Sequence, residues 1–455
     1  MLSQTSEIKL PIIERIAEHS LLAKLPPAFR TPFALGNLFF FSGNFLGGLV
    51  GFIYQALLAK FLGRDGFAEV APLLSIFYLL QILMYVAMAV SAKLTSPLFA
   101  QKRLPEIHSN YQDLLRYAIF GGIAGMLLFW GLSPLMASFL KMNNIVPLLI
   151  LGTTIPLAIV AGVVRGTLQG DHRFFELSLT FFAFSFVTLI FLPIILMFNL
   201  GTSGAMVGVG LGMVVSDVIG LVALRALAHS QEHPKLSLLP LVKGAVVASA
   251  GITAITLFYN CDVLLAKHYL SISQAGLYSG MALLGKILFF GTLSVSGVMF
   301  PRVASLHAEG KNPHKVVNIS LGLVLVAGGA VVGLYTLFPS LIIHLLLRGD
   351  QYIAIGRFIG LYAFAMLALA ISNVLVYYFV GVHEKRFIWG LLIGGLAFLI
   401  LVLLNHQNFQ AVTIAVTIAI SLMAIILVVL YALEKPHLAF RESTRAMLDE
   451  NLPLI

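Results

Sequence analysis

The chain has 455 residues, of which 59% are hydrophobic and only 10% are charged, and its mean hydropathy is +0.98. These values exclude an ordinary soluble domain, which needs far more charge on its surface. The formal net charge of +9 is attributed to membrane topology and contact with anionic lipids rather than to nucleic-acid binding.

Twelve apolar segments follow one another along the chain with short polar gaps between them. A membrane helix needs ~20 mostly apolar residues, and each segment is long enough. The sequence therefore predicts an all-α polytopic membrane protein. The predicted spans are residues 34–59, 67–92, 114–139, 145–164, 175–198, 203–224, 244–266, 275–300, 316–339, 353–380, 387–404 and 411–433.

Residues 1–33 precede the first span and are predicted to be a cytoplasmic amphipathic segment. Glu7, Glu14 and Glu18 interrupt this region before any apolar core forms, which is not typical of a signal peptide. Apolar residues at helical spacing between positions 11 and 24 predict a helix that lies on the membrane surface.

The basic residues are divided unequally between the two sides of the membrane. Of the 28 lysines and arginines, 20 lie in the N-terminal segment, the even-numbered loops or the C-terminal tail, and six lie in the odd-numbered loops. Cytoplasmic loops carry the excess of Lys and Arg in membrane proteins. The sequence therefore predicts that both termini are cytoplasmic.

Short matches between the two halves of the chain predict an internal repeat. The sequence Leu-Leu-Ala-Lys ends the first span at residues 57–60 and the seventh span at residues 264–267. Pro134, near the end of the third span, has its counterpart in Pro339 at the end of the ninth. Because six spans return the chain to the same side, the two halves share one orientation, as in parallel transporter repeats around a central cleft.

The repeat and the span boundaries together divide the chain into five parts. These are the N-terminal segment 1–33, a six-helix bundle at 34–225, a cytoplasmic linker at 226–243, a second six-helix bundle at 244–433 and a cytoplasmic tail at 434–455.

The sequence contains no complete enzyme motif. Residues 280–286 match the start of a P-loop, but Ile287 stands where Ser or Thr must bind Mg²⁺. Cys261 is the only cysteine, so no intramolecular disulfide is possible. The outer loops are too short to hold a sugar chain for a polymerase or ligase. The sequence predicts a protein that is not an enzyme, with no catalytic residue and no metal site.

Charged and polar side chains inside or beside the spans are the candidate site residues, since a charge in hydrocarbon is costly. Cations in a dry cleft attract phosphates, and carboxylates there suit coupling to H⁺ or Na⁺. The alternatives are a structural ion pair of Lys286 with Asp262 or Asp217, and simple positive-inside anchoring for Arg165 and Lys93. The candidates are Lys286, Arg165, Asp262, Asp217, Asn260, Lys93 and Glu69.

Glycines four residues apart form a stripe along the first span at Gly43, Gly47 and Gly51. Small residues at this spacing allow two helix backbones to approach closely in a membrane. Close packing is the favoured interpretation, a smooth wall beside a lateral opening for a bulky substrate is the alternative, and the two are compatible.

Several segments resemble the polysaccharide exporters (Wzx-like O-antigen and exopolysaccharide flippases) of the MATE/flippase, or MOP, superfamily. Residues 37–70 resemble the start of these proteins, and residues 259–262 with 275–278 resemble the start of their second half. Lys286 and the Phe-Pro-Arg sequence at 300–302 resemble the helix and loop that follow.

The resemblance extends over residues 34–433 and implies a flippase for an undecaprenyl-pyrophosphate-linked oligosaccharide in the bacterial inner membrane. Lys286 and Arg165 would meet the pyrophosphate or acidic sugars. Asp262 and Asp217 would balance charge or carry the coupling ion, H⁺ or Na⁺, with no other cofactor expected.

The expected partners are the lipid-linked oligosaccharide, membrane lipids and polysaccharide polymerase or assembly proteins, without nucleic acid. A cation-coupled multidrug exporter of the same architecture and a non-transporting scaffold are alternatives. A lipid II flippase is a weaker alternative, because Lys60, Arg64 and Lys93 are the only basic residues where such flippases have an arginine cluster.

Overall fold

The computed structural model describes residues 32–228 and 239–450, and these residues are almost entirely helical, with no β-strand among them. The first helical stretch, Pro32–Ala100, is broken at Gly63; we call residues 32–62 α1 and residues 64–100 α2. The other long helices are α3 (Leu104–Phe139), α4 (Val146–Gly170), α5 (Phe174–Met197), α6 (Gly201–Ala223), α7 (Leu239–Tyr269), α8 (Ile272–Ala308), α9 (His314–Leu337), α10 (Ile359–Gly381), α11 (Phe387–Leu404) and α12 (Phe409–Glu450).

The predicted all-α polytopic membrane fold is confirmed. Ten described stretches are long and apolar enough to cross a membrane when α1 and α2 are counted as one. Separating these two at Gly63 and adding the 31-residue α7 gives one long helix for each of the twelve predicted spans.

Several helix boundaries differ from the prediction, because hydropathy detects the apolar part of a helix and not its polar ends. Helix α7 begins at Leu239, inside the predicted linker, and α12 continues past the predicted end of its span to Glu450. The tenth span begins at Ile359 rather than 353, since Ile353–Ile355 is a separate 3-10 turn. The predicted amphipathic helix at 11–24 and residues 229–238 of the linker lie outside the described residues.

The apolar stretch after α9 is a separate short helix, Pro339–Leu346. Proline is favoured in the first turn of a helix, where its missing N–H leaves no hydrogen bond unmade. Ile342 and Ile343 are buried, whereas Leu341 and Leu345 are exposed. The short helix therefore has one apolar face on the protein and another turned away from it.

Burial separates central from peripheral helices. Helix α10 is the most buried span, and Tyr362, Met366 and Leu369 along it have no exposed surface. Helix α3 is the most exposed, with Phe120 and Leu135 largely uncovered. Large exposed apolar side chains of this kind are expected where a helix faces lipid.

Gly63 breaks the first helical stretch and forms the corner between α1 and α2. Its backbone dihedrals are φ 70° and ψ −178°, a region open to glycine and strongly unfavourable for residues with a Cβ. The Arg64 N–H loses its helical partner at the break and donates to the Gln351 Oε1 at 2.9 Å. The corner between α7 and α8 differs, because the Ser271 hydroxyl accepts from the Gln274 N–H within the same helix.

The glycine stripe of α1 packs on α5. A Cβ added at Gly47 would lie 3.2 Å from the Phe181 carbonyl oxygen, and one added at Gly51 would lie 3.6 Å from the Ser185 hydroxyl. A Cβ at Gly43 would collide with the Ser178 side chain. The favoured interpretation of the stripe as a close helix contact therefore fits the structure.

Replacing Gly47 with leucine is expected to destabilise the protein by about 1–3 kcal/mol, because the new side chain must push α1 away from α5. Thermal unfolding of the detergent-solubilised protein measures the loss. Gly48→Leu is the matched control, since nothing lies within 4 Å of a Cβ added at Gly48. Equal melting temperatures for the two variants would contradict the close contact at Gly47.

The charge distribution predicts the orientation of this bundle in the membrane. A reporter that is active only in the periplasm is expected to be active when it is fused at the α7–α8 turn, residues 271–274. The same reporter is expected to be silent when it is fused in the linker at 226–243. The opposite pattern of reporter activity would show that the whole molecule has the reverse orientation in the membrane.

Candidate functional site

The two halves of the molecule, α1–α6 and α7–α12, meet at the end that carries Gly63. We call it the Gly63 end, and it also contains the C-termini of α3 and α7. The Lys267 Nζ forms an ion pair with the Glu69 Oε1 at 2.5 Å, and Lys267 is only 5% exposed. The His268 Nδ1 donates to the Phe139 carbonyl at 2.7 Å, with the two rings stacked at 4.1 Å between centroids.

Backbone contacts reinforce this closure. The Arg64 N–H bonds the Gln351 side chain across the halves, and Gly276 lies so close to the Arg64 carbonyl that a Cβ would collide with it. Deeper in the bundle, the ring of Tyr78 lies 6.4 Å from that of Phe290. Among the described residues, the hydrogen bonds, ion pairs and ring contacts between the halves thus extend from the Gly63 end to the level of Tyr78.

Tyr85 lies on α2 beyond this region of contact. Tyr85, two turns further along α2, is 50% exposed. Its hydroxyl nevertheless interacts electrostatically with Arg165 on α4, Tyr259 on α7 and Tyr377 on α10. The hydrogen bonds and the ion pair between the halves are therefore concentrated at the Gly63 end.

Arg165 lies inside the first half, where α4, α5 and α6 meet. Its guanidinium donates to the Ser216 hydroxyl at 2.8 Å and to the Thr180 hydroxyl at 3.2 Å. It also lies 4.1 Å from the centre of the Phe181 ring. Because Arg165 is 5% exposed, its position does not fit the alternative of a surface anchor.

Asp217 interacts electrostatically with Arg165, but the two side chains do not form an ion pair. The carboxylate is 5% exposed, and its Oδ2 has no hydrogen-bond partner among the described residues. A buried carboxylate oxygen without a partner is costly, so it is available to a proton or a cation.

Asp262 lies in the second half, with no exposed surface. The Tyr278 hydroxyl donates to its Oδ2 at 3.0 Å, and the Tyr362 hydroxyl donates to the same oxygen at 2.5 Å. The Val263 N–H donates to the other oxygen at 2.8 Å. Helices α7, α8 and α10 thus supply one carboxylate and two phenols that meet at a single point.

Lys286 lies on α8, roughly 21 Å along the helix from its first residue. Its Nζ is 3.5 Å from the Asn260 Oδ1 and 5.6 Å from the centre of the Tyr259 ring. Together with Gln55 and Tyr78 of the first half, it lines a small cavity between the halves.

The suggested ion pair between Lys286 and Asp262 does not form in the structure. The two groups interact electrostatically, but the Asp262 carboxylate is bound by two tyrosine hydroxyls instead. No described carboxylate forms an ion pair with Lys286, which is 6% exposed. The cation is held by the amide oxygen of Asn260, whose own Nδ2 donates to the Thr256 carbonyl at 2.9 Å.

The other two candidates lie apart from these clusters. Glu69 belongs to the closure at the Gly63 end, paired with Lys267 across the halves. Lys93 is exposed on the part of α2 furthest from Gly63. Of the seven candidates, the structure thus brings Arg165 together with Asp217, and Lys286 together with Asn260 near Asp262.

Sequence reasoning missed Lys267, because a lysine at the end of an apolar span normally reaches water. In the structure Lys267 is 5% exposed and forms an ion pair with Glu69 across the halves.

No protein-family model and no curated protein sequence matches the chain. Solved structures do. An inward-facing multidrug resistance MATE family transporter of the MOP superfamily superposes with a TM-score of 0.72 at 13% identity, over 87% of this chain and 95% of the other. An outward-facing conformation of such a transporter gives a TM-score of 0.61 at 13% identity, over 90% and 95% of the two chains.

A third match is a MOP superfamily transporter from Pyrococcus furiosus, with a TM-score of 0.65 and 13% identity over 90% of this chain and 97% of the other. It is described as having a binding pocket of reverse polarity that suggests a different function. At this identity the matches establish the fold alone, which is that of MATE family transporters.

Proposed function

We propose that this protein, which has the fold of MOP superfamily transporters, is a flippase for an undecaprenyl-pyrophosphate-linked oligosaccharide in the bacterial inner membrane. One observation carries the proposal. Each half contributes a buried cation, Arg165 or Lys286, and neither forms an ion pair with a carboxylate among the described residues.

Buried cations without a direct counterion favour an anionic substrate. Removing a charge from water is costly, and hydrogen bonds to neutral groups compensate this cost only in part. A pyrophosphate offers several charged oxygens to the guanidinium of Arg165 and the ammonium of Lys286. The Pyrococcus furiosus transporter is described as having a binding pocket of reverse polarity that suggests a different function. We use the charge of the pocket in the same way here, to infer the class of substrate.

The contacts between the halves at the Gly63 end support a direction of transport. The charge distribution predicts that the Gly63 end faces the periplasm. In this proposal the substrate enters from the cytoplasm, and rocking of the halves releases it outside while the polyprenyl tail remains in lipid. Polysaccharide polymerase or assembly proteins are proposed to receive the product.

Two buried carboxylates are proposed to couple transport to H⁺ or Na⁺. Asp217 has an oxygen without a partner, and Asp262 lies at the junction of α7, α8 and α10 with two phenol donors. If such a carboxylate takes up or releases a cation as the halves move, the charge near the bound substrate changes.

Deletion of the gene is expected to leave lipid-linked repeat units on the cytoplasmic face of the membrane and to remove the surface polysaccharide, with no change in drug tolerance. Extraction and radiolabelling of polyprenyl-linked sugars measures the accumulation, and a plasmid copy of the gene is the control. Sensitivity to cationic drugs with intact polysaccharide would identify a multidrug exporter instead. Arrested cell-wall synthesis would identify a lipid II flippase.

The multidrug exporter is the second candidate, because a MATE family transporter described as a multidrug resistance protein superposes on this chain. The buried cations argue against it, since cationic drugs would be repelled by Arg165 and Lys286. Reconstitution with a labelled lipid-linked oligosaccharide in one set of vesicles and a cationic dye in another compares the two substrates directly.

A further inference from the structure

A second cavity, of about 310 Å³, lies between the two halves at the Gly63 end. The first half contributes Glu69 of α2 and residues of the α3–α4 loop, and the second half contributes the end of α7 and the start of α8. None of the residues that line this cavity lines the one beside Lys286. We call it the end cavity, and it is separate from the buried cations of the proposed substrate site.

Lys267 lines the end cavity although its side chain is only 5% exposed. A lysine ammonium carries three N–H donors. Among the described residues its one hydrogen-bond partner is the Glu69 Oε1. A buried ammonium that lacks partners for its other donors is costly, so the remaining N–H groups favour an acceptor within the cavity.

Lys141 of the α3–α4 loop is the second cation of the end cavity, and it forms no ion pair among the described residues. Glu69 is the one acidic side chain that lines the end cavity in the described part of the chain. Two ammonium groups against one carboxylate leave an excess of positive charge. The end cavity therefore favours an anion over a cation.

Neutral donors complete the wall. The Asn143 amide stands on the α3–α4 loop, and the Ser271 hydroxyl stands at the start of α8. The Ser271 oxygen accepts from the Gln274 N–H, which leaves its own O–H to donate. Donors thus approach the cavity from different directions and from both halves. The oxygens of a phosphate group point in several directions, whereas the two oxygens of a carboxylate lie in one plane, so a phosphate fits these donors better.

We propose that the end cavity binds a phosphate group, either free phosphate or the headgroup of an anionic lipid, as a bridge between the two halves. Lys141 and Asn143 hold it from the first half, and Lys267 and Ser271 hold it from the second. Because these donors meet only when the halves are in contact at the Gly63 end, the bound phosphate stabilises that contact. This site does not depend on which substrate the protein transports.

Thermal unfolding of the purified full-length protein in detergent tests binding, with sodium phosphate compared with sodium chloride at equal ionic strength. The variant is Lys141→Ala, which leaves the Glu69–Lys267 pair in place. Lys60→Ala is the matched control, because Lys60 is an exposed lysine near the same end that does not line the cavity. Phosphate stabilises proteins in general, so the difference between variants is the quantity of interest.

Phosphate at roughly ten times its Kd is expected to raise the melting temperature of the wild type and of Lys60→Ala by roughly 1–2 °C beyond the rise in Lys141→Ala. The same measurement in nanodiscs distinguishes the two sources. A phosphate-dependent rise in phosphatidylcholine and phosphatidylglycerol alike assigns the site to free phosphate. A rise that is lost in phosphatidylglycerol, where Lys141→Ala also melts below Lys60→Ala, assigns it to the lipid headgroup.

Thiol labelling tests the bridge itself. Ser279→Cys in a Cys261→Ser background places one thiol in the cavity beside Lys286. In vesicles, phosphate at ten times its Kd, or phosphatidylglycerol in place of phosphatidylcholine, is expected to slow labelling by a maleimide added at the Gly63 end roughly tenfold. Lys141→Ala is expected to remove this effect, and Lys60→Ala is expected to keep it.

Two results would overturn the proposal. Equal melting temperatures and equal phosphate responses for Lys141→Ala and Lys60→Ala, in detergent and in both kinds of nanodisc, would show a general salt effect and no site. A phosphate response that requires Lys141 but leaves the labelling rate unchanged would show that the bound anion does not join the halves.

Discussion

Lys286→Ala is expected to reduce translocation of the lipid-linked oligosaccharide by roughly tenfold to a hundredfold, the value of one or two charge-assisted hydrogen bonds. The protein should remain inserted and abundant, because Lys286 forms no ion pair among the described residues and its loss leaves no carboxylate stranded. Vesicle translocation assays measure the rate, and quantitative immunoblotting measures the amount of protein.

Two further variants decide why Lys286 matters. Lys286→Arg keeps the positive charge and is expected to retain part of the activity. The exposed Lys60→Ala is the control for a change of net charge alone. If Lys286 instead serves only to balance Asp262, the double variant with Asp262→Ala would be more active than either single variant. Such a rescue would assign Lys286 to packing rather than to the substrate.

Reversing either charge of the Glu69–Lys267 pair is expected to open the Gly63 end. Glu69→Lys places two cations beside each other at a site where Lys267 is only 5% exposed, and Lys267→Glu places two carboxylates there. Repulsion between like charges at this position is expected to lower the population of the closed state roughly tenfold or more. The double exchange, Glu69→Lys with Lys267→Glu, restores the attraction and is expected to restore closure.

Thiol labelling reports on this opening. Cys261 is the only cysteine, so Cys261→Ser gives a background in which Ser279→Cys is the sole thiol. Ser279 is 3% exposed and lines the small cavity between the halves. A membrane-impermeant maleimide added from the periplasmic side should label it slowly in the parent and about tenfold faster in either single reversal. Equal labelling of all variants would show that the pair does not hold the halves together.

The number and type of helices could be predicted because hydrophobic length is a local property of the sequence. Each long apolar segment must form its hydrogen bonds internally in lipid, so it becomes a helix whatever surrounds it. Boundaries were less predictable where polar residues continue a helix beyond the apolar core. Helix α12, for example, continues to Glu450.

Side-chain partners could be predicted only in part. Because burying a charge is costly, the sequence analysis selected Lys286, Arg165 and Asp262 as candidates, and all three are buried inside the bundle. Which groups meet depends on how each helix is rotated about its axis. Two tyrosine hydroxyls, rather than Lys286, therefore bind the Asp262 carboxylate.

Contacts between distant segments were beyond the reach of the sequence. Glu69 and Lys267 are separated by 198 positions, and nothing in the sequence around either residue indicates that the two side chains meet.

The corner at Gly63 makes the first half dependent on the second. The Arg64 N–H relies on Gln351 of the other half, whereas Ser271 completes the equivalent corner of the second half from within its own helix. If the halves part at this end, as the proposed transport requires, the Arg64 peptide group must exchange a glutamine oxygen for water, and only the first half undergoes this exchange. Two halves with the same general plan are therefore not interchangeable, and a chain assembled from two copies of the second half would lack this bond.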